Sequence, residues 1–260
     1  MPAPAPPADR PQHPLRPASP RLPAPPRGPV PKKTRGDAAP LSATIGAVTL
    51  LHVFDMDGTL LTGTTANLQI AHQTGTLHEL TALEADFAAG LIDTVGFSTR
   101  IHRLWGDLTP DHVAAAYRAG TWLTGIAEVC ADIRARGEHS AVITMSPDFF
   151  ARHLLDLGFD DVLASRFPPP PFTTALDTAG ILTPADKVRL TDALAARHGL
   201  PGDRCIAYGD SMSDAPLFRH LPHTVAVNAD HHLADLASLH YTGTDLTAAY
   251  RLARTLITAP

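Results

Sequence analysis

Two aspartates separated by one residue, in Asp55-Met56-Asp57, followed by Gly58-Thr59, form the stretch of this chain best suited to chemistry. They follow an apolar run from about Val48 to Phe54, aliphatic and β-branched, that reads as a buried strand. Carboxylates at the carboxyl end of a parallel strand stand where open α/β sheets place their ligands. Gly58 lets the chain turn sharply and bring both into one crevice. One carboxylate can then act as a nucleophile and the other as an acid and base. With a divalent cation, such a pair is a device for moving a phosphoryl group. The same two residues would equally serve to cap the helix that follows.

The elements around them must form a sheet. Helical patterns at Ala66–Gln73, Leu77–Ala89, Val95–Trp105 and Asp111–Ala119 follow the first strand with no strand signal between them. Thr109-Pro110 starts the last, with threonine as N-cap and proline at the first helical position. An amphipathic helix then runs Ile126–Arg136 and stops at Gly137. Strands are expected at His139–Thr144, Asp161–Ser165, Cys205–Tyr208 and Thr224–Val227. Ser146-Pro147 opens a helix with serine as cap, and Thr183-Pro184 opens another reaching about His198. Strands alternating with helices predict an α/β fold with a doubly wound parallel sheet.

Three further groups fall at strand ends or helix starts. Thr144 closes the second strand, and its hydroxyl with the Met145 N–H and the helix start at Ser146 would cradle a phosphate. Taken singly, it is an ordinary β-branched strand residue. Lys187 lies near a helix start in Thr183-Pro184-Ala185-Asp186-Lys187, where a lone lysine is usually a solvated charge. Gly209-Asp210-Ser211-Met212-Ser213-Asp214 follows the Cys205–Tyr208 strand and offers two carboxylates four residues apart, or a helix cap.

These four pieces, in this order, resemble the haloacid dehalogenase (HAD) superfamily, in its phosphoserine-phosphatase-like branch. The resemblance spans roughly Ala47 to Leu239. It implies a HAD Rossmann-like core, residues 45–63 and 121–260, with an inserted helical (C1-type) cap at 64–120. It implies that Asp55 becomes an aspartyl-phosphate, and that Asp57 protonates the leaving oxygen and then activates water. Lys187 would neutralise the nucleophile and the phosphoryl oxygens. The cation would take the Asp55 side chain, the Asp57 carbonyl and Asp210, with Asp214 bound through water or holding a ligand in place. An all-oxygen ligand set suits Mg²⁺. Gly58, Thr59, Met145, Ser146 and Ser213 are the matching phosphate or substrate contacts, with Arg100 and Arg103 from the cap.

The chain departs from that branch in places that touch the substrate. Leu61-Thr62-Gly63-Thr64-Thr65 has no acid where the branch carries a glutamate for the substrate's amino group, and no other carboxylate is evident for it. Met145-Ser146-Pro147 replaces a glycine-rich turn, and Ser213 stands where the branch has asparagine. The expectation is a Mg²⁺-dependent phosphatase acting on a small phosphorylated metabolite through an aspartyl-phosphate. A phosphotransferase or phosphomutase, or a non-catalytic phospholigand-binding module, are the rivals.

Composition bounds the rest. The chain has 260 residues, 44% of them hydrophobic, enough for one sizeable core plus a small insert. Its net charge of -5, without a basic block in the folded part, excludes a nucleic-acid footprint. No apolar run reaches the ~20 residues of a membrane span. Cys130 and Cys205 lack metal-ligand spacing and read as reduced thiols of a cytoplasmic protein. Prolines stand where the apolar part of a signal peptide would be. Residues 1–44 hold 14 of the 25 prolines and seven of the basic residues, and read as a disordered Pro/Arg-rich arm. Oligomeric state has no sequence signature here.

Overall fold

The strand before the paired aspartates runs Leu51–Phe54 (β1) in the computed structural model, which describes residues 49–258. The expected N-terminal arm lies outside the described residues. The remaining strands are β2 (His139–Pro147), β3 (Asp161–Ser165), β4 (Cys205–Gly209), β5 (His223–Val227) and β6 (Leu239–Tyr241). They form one parallel sheet in the order β3-β2-β1-β4-β5-β6. The chain therefore starts at the middle of the sheet and winds outwards in both directions. The carboxyl ends of β1 and β4 lie side by side, with Phe54 level with Tyr208. That register sets Asp55-Met56-Asp57 next to Gly209-Asp210.

Period-two alternation in β1 divides the core. Leu51 and Val53 pack with Leu194 and Ala195 of α7 (Pro184–Arg197) and with Leu217 and Phe218 of α8 (Ala215–His220). Leu50 and Phe54 face the other way, onto α5 (Ile126–Ala135) and α9 (Leu246–Thr258). His52 shares that second face and is fully buried. Its Nδ1 lies 3.0 Å from the Tyr208 hydroxyl and its Nε2 3.1 Å from Glu138, which Arg254 also binds at 2.6 Å. A buried imidazole on a central strand is tolerable only because both ring nitrogens have partners.

Four helices stand between β1 and α5: α1 (Ala66–Thr74), α2 (Leu77–Ala88), α3 (Thr94–Leu104) and α4 (Pro110–Ala119). Their starts follow local chemistry. Thr65 and Thr109 accept from backbone amides three residues on, and Thr109 with His112 closes a capping box ahead of Pro110. These helices have no separate core. Ile70, Leu80, Ile101, Trp105, Val113 and Ala116 belong to the same apolar cluster as Phe54 and Ile126. Trp105 is core, with its indole N–H bonded to Thr76.

Two local expectations need correction. β2 does not stop at Thr144 but continues through Pro147, with a register shift against β3 at its end. The following helix, α6 (Asp148–Ala151), is a single turn, and Ser146 does not cap it. Two elements were not among those expected: the three-residue β6, which has no clear sequence signal, and α9, which closes the α5 face and buries Leu246, Ala249, Tyr250 and Ala253 at helical spacing. No described helix is long and apolar enough to cross a membrane.

Candidate active site

Asp55 is the residue after β1, held by its N–H to the Tyr208 carbonyl at 2.9 Å, and it is 6% exposed. Lys187, from the first turn of α7, reaches it: Nζ lies 2.8 Å from Asp55 Oδ1 and 2.6 Å from Asp214 Oδ1. The Thr183–Asp186 capping box fixes that first turn and so aims the lysine. Ser213 accepts a third bond from Nζ at 3.2 Å. Burial opposes the charge on Lys187, but Asp214 and Asp55 outweigh it and hold the ammonium above its ordinary range. Burial pushes the Asp55 carboxyl well up; Lys187 opposes this, and the charges of Asp214, Asp210 and Asp57 add to it.

Asp57 is placed differently. Its Oδ1 accepts from the Ala66 N–H at 2.7 Å, at the start of α1, and its Oδ2 accepts from the Ser146 hydroxyl at 2.5 Å. The capping alternative is thus partly realised, because Asp57 serves the first amide of α1. Burial still raises its carboxyl above the usual range against those two donors. A carboxyl held in place and inclined to keep its proton suits a general acid. Ser146, expected as a helix cap, is instead the residue that fixes Asp57.

Asp55, Asp210 and Asp214 offer carboxylate oxygens all within 4.8 Å of one another. Burial raises the Asp210 carboxyl to about 7, and the neighbouring Asp214 charge adds to it. Oxygen donors crowded to mutual repulsion are a fitting set for a hard divalent cation. The backbone makes room for them. Gly58 has φ +80°, and a Cβ there would lie 2.0 Å from Asp210 Oδ2. A Cβ on Gly209 would lie 2.4 Å from Asp214 Cγ. Asp214 Oδ2 also accepts the Asp210 N–H at 3.0 Å, so this residue braces both the turn and Lys187.

Most of the expected residues meet at one cavity of about 1050 Å³. Asp55, Asp57, Gly58, Thr144, Met145, Ser146, Lys187, Asp210 and Ser213 all line it. Thr144 Oγ1 accepts the Ser146 N–H at 3.1 Å, which uses up one amide of the expected cradle. Its own hydroxyl proton has no acceptor among the described residues, which leaves it for a ligand. Thr59 is fully buried and donates toward Asp210 at 3.4 Å, so it positions a carboxylate rather than facing the cavity. Arg100 and Arg103 do not line the cavity. Arg100 is exposed and pairs with Asp86 at 3.0 Å, and Arg103 is exposed on α3. Solvation and a neighbouring carboxylate on α2 hold them on the outer surface.

The cavity also has residues that the motifs did not point to. Asn67, Leu68, Glu84, Phe87, Phe97 and Ile101 come from α1, α2 and α3. Their type and spacing are those of ordinary amphipathic helices, so no sequence signal marks them. Asn228 is different. It follows β5 with φ 50°, and its amide clamps the Gly243 backbone through two 2.9 Å bonds. A polar residue at a strand's carboxyl end was a usable signal for it.

A parallel sheet with two carboxylates after its central strand, a lysine from a later helix and an acidic turn on the adjacent strand defines a class of α/β hydrolytic enzyme. The haloacid dehalogenase-like hydrolase family model matches residues 52–219, and the chain belongs to that family. No curated protein matches the sequence. Among solved structures, a HAD family hydrolase from Salmonella enterica subsp. enterica serovar Typhi is similar at TM-score 0.69 and 23% identity, over 76% of this chain and 70% of that one. A substrate-bound phosphoserine phosphatase is similar at TM-score 0.67 and 21% identity, over 78% and 98%. A probable phosphoserine phosphatase from Vibrio cholerae is similar at 0.62 and 17%, over 81% and 69%. At these identities the likeness is one of fold.

Proposed function

We propose that this enzyme is a Mg²⁺-dependent phosphatase that hydrolyses a small phosphomonoester through an aspartyl-phosphate on Asp55. The observation that carries this reading is the division of labour between two neighbouring carboxyls. Asp55 is held against the Lys187 ammonium, and Asp57 is held by Ser146 and Ala66 with its carboxyl raised. Lys187 favours the charged, attacking form of Asp55 against the burial that raises its carboxyl, and the Ser146 and Ala66 donors fix Asp57 where it can carry a proton.

The Asp55 carboxylate attacks phosphorus, and the bond from phosphorus to the ester oxygen breaks. Asp57 gives its proton to that oxygen and the alcohol leaves. Water then attacks the phosphorus of the aspartyl-phosphate while Asp57, now a carboxylate, takes its proton. The bond to Asp55 breaks, inorganic phosphate leaves, and both aspartates return to their starting states. Lys187 stays charged throughout and offsets the repulsion between Asp55 and the phosphate. The Thr144 hydroxyl and the Met145 amide, both on residues that line the cavity, would donate to the phosphoryl oxygens.

Asp55, Asp210 and the Asp57 carbonyl would hold the cation, with Asp214 bracing them. When bound, Mg²⁺ supplies positive charge that stabilises the phosphoryl group in the transition state. The helices of residues 64–120 serve as a cap that covers the site and excludes bulk water.

The test is inorganic phosphate release from a panel of phosphomonoesters, with Mg²⁺ and with EDTA, for the native enzyme and Asp55→Asn. Release that needs Mg²⁺ and is lost in the variant is the expected result. No release from any ester, or undiminished release by the variant, overturns the reading. Acceptor-dependent transfer without free phosphate would indicate a mutase instead.

A further inference from the structure

The cavity wall formed by the helices after β1 carries a charge that the chain itself does not balance. Glu84 of α2 lines the cavity, is part-buried, and makes no hydrogen bond or ion pair among the described residues. Burial pushes its carboxyl up, and the charge on Asp57 adds to this. Asn67 of α1 lines the same cavity, and its amide oxygen is buried without a hydrogen-bond partner. Two acceptors on the lining of one cavity therefore lack a donor from the described residues. An unsatisfied buried acceptor is costly, so a ligand that supplies the missing N–H groups binds with a gain.

The cations of the region are accounted for. Lys187 is the one lysine or arginine among the residues lining the cavity, and it is held by Asp55, Asp214 and Ser213. Arg100 pairs with Asp86 outside. A carboxylate on the substrate would meet Glu84 with no cation to receive it. Phe87, Phe97 and Ile101 also line the cavity and offer apolar surface to the body of the ligand.

Resting on the phosphatase reading above, we infer that the substrate is the phosphate ester of an amino alcohol, with a protonated amine at Glu84 and Asn67 and no carboxylate. Glu84 is then the specificity-determining residue, supplied by α2 rather than by the loop after β1. Its acceptor partner Asn67 orients the ammonium, and the aromatic walls take up the carbon chain. An ester carrying a carboxylate beside its amine, such as O-phosphoserine, is a poor substrate.

The experiment compares kcat/KM for ω-aminoalkyl phosphates of increasing length with n-alkyl phosphates of matched length, in the native enzyme and in Glu84→Gln. O-phosphoserine and O-phosphoethanolamine form a further pair. The native enzyme is expected to favour the amine over its alkyl partner at one chain length, and phosphoethanolamine over phosphoserine. A charge-assisted hydrogen bond sets the scale, so the amine-to-alkyl ratio should fall about 10- to 100-fold in Glu84→Gln, mainly through KM. An unchanged ratio, or a preference for phosphoserine, overturns the inference while leaving the phosphatase reading intact. Absence of turnover on every ester counts against the phosphatase reading alone. In that event, thermal stabilisation by the same aminoalkyl and alkyl phosphates with Mg²⁺ decides the inference: a preference for the amine that Glu84→Gln abolishes supports it, and equal stabilisation overturns it.

Discussion

Replacing Lys187 with methionine should destabilise the metal-free protein severely, because it removes a cation and leaves its anions in place. The side chain is 2% exposed, and Nζ lies 2.8 Å from Asp55 and 2.6 Å from Asp214. Methionine keeps most of the aliphatic stem, so the packing loss is under about 1.5 kcal/mol. The larger effect is electrostatic: breaking a buried ion pair from one side costs roughly 3–5 kcal/mol. For a chain of this size each kcal/mol moves the midpoint by about 2–4 °C, so Tm should fall by about 6–20 °C. The pH dependence gives a second readout. Without the ammonium, the Asp55 carboxyl, already raised by burial, rises further above its unfolded value. A raised carboxyl binds its proton more tightly in the folded state, so the deficit should shrink as pH falls from about 8 to about 5. Thermal and urea unfolding in EDTA would measure both. Adding Asp214→Asn to the variant removes one unpaired buried carboxylate, so the double variant should lose less than the sum of the two single losses. A Tm within about 2 °C of native, or strictly additive losses, would refute the claim that this ion cluster is a coupled unit.

Two further outcomes follow from other parts of the fold. Gly58→Ala should weaken Mg²⁺ binding at least about tenfold by calorimetric titration, because its φ of +80° strains an alanine and its Cβ would lie 2.0 Å from Asp210. Gly75→Ala, at φ +71° with nothing within 4 Å, should cost only the roughly 1–2 kcal/mol of backbone strain and leave the titration unchanged; equal titrations for both variants would count against the cradle. His52 is held below its ordinary value of 6.5 by burial, despite its bond to Glu138. The unfolded chain therefore binds that proton first, so stability is present above about pH 6.5 and is lost as pH falls below it. Unfolding free energies of native and His52→Gln protein across about pH 5–7.5 should show a steeper loss of stability towards low pH in the native protein, and parallel profiles would exclude His52 as a source of it.

The residues that meet at the candidate site were legible because each is tied to a local event in the chain. Asp55 and Asp57 end a strand, Lys187 sits in a capped first turn, and Asp210 follows a continuous apolar strand. Strand ends and helix starts are written in a few consecutive residues, and parallel-sheet topology then brings those ends to one edge. β3 fell on its expected residues, Asp161–Ser165, for the same reason. β6 did not show itself, since three half-buried residues carry no period.

Side-chain direction across elements was another matter. Ser146 read as a cap and instead holds Asp57, because β2 runs on past Thr144 and points that hydroxyl at another strand's end. Arg100 read as a substrate contact and pairs with Asp86 outside the cavity, whereas Glu84 read as nothing and lines it. The amino-acid order by itself marked the carboxylates and the lysine of the candidate site, because they are fixed to backbone turns. Only the tertiary structure decided the far end of the cavity, because which face of α2 or α3 looks inward depends on how those helices rotate against the common core.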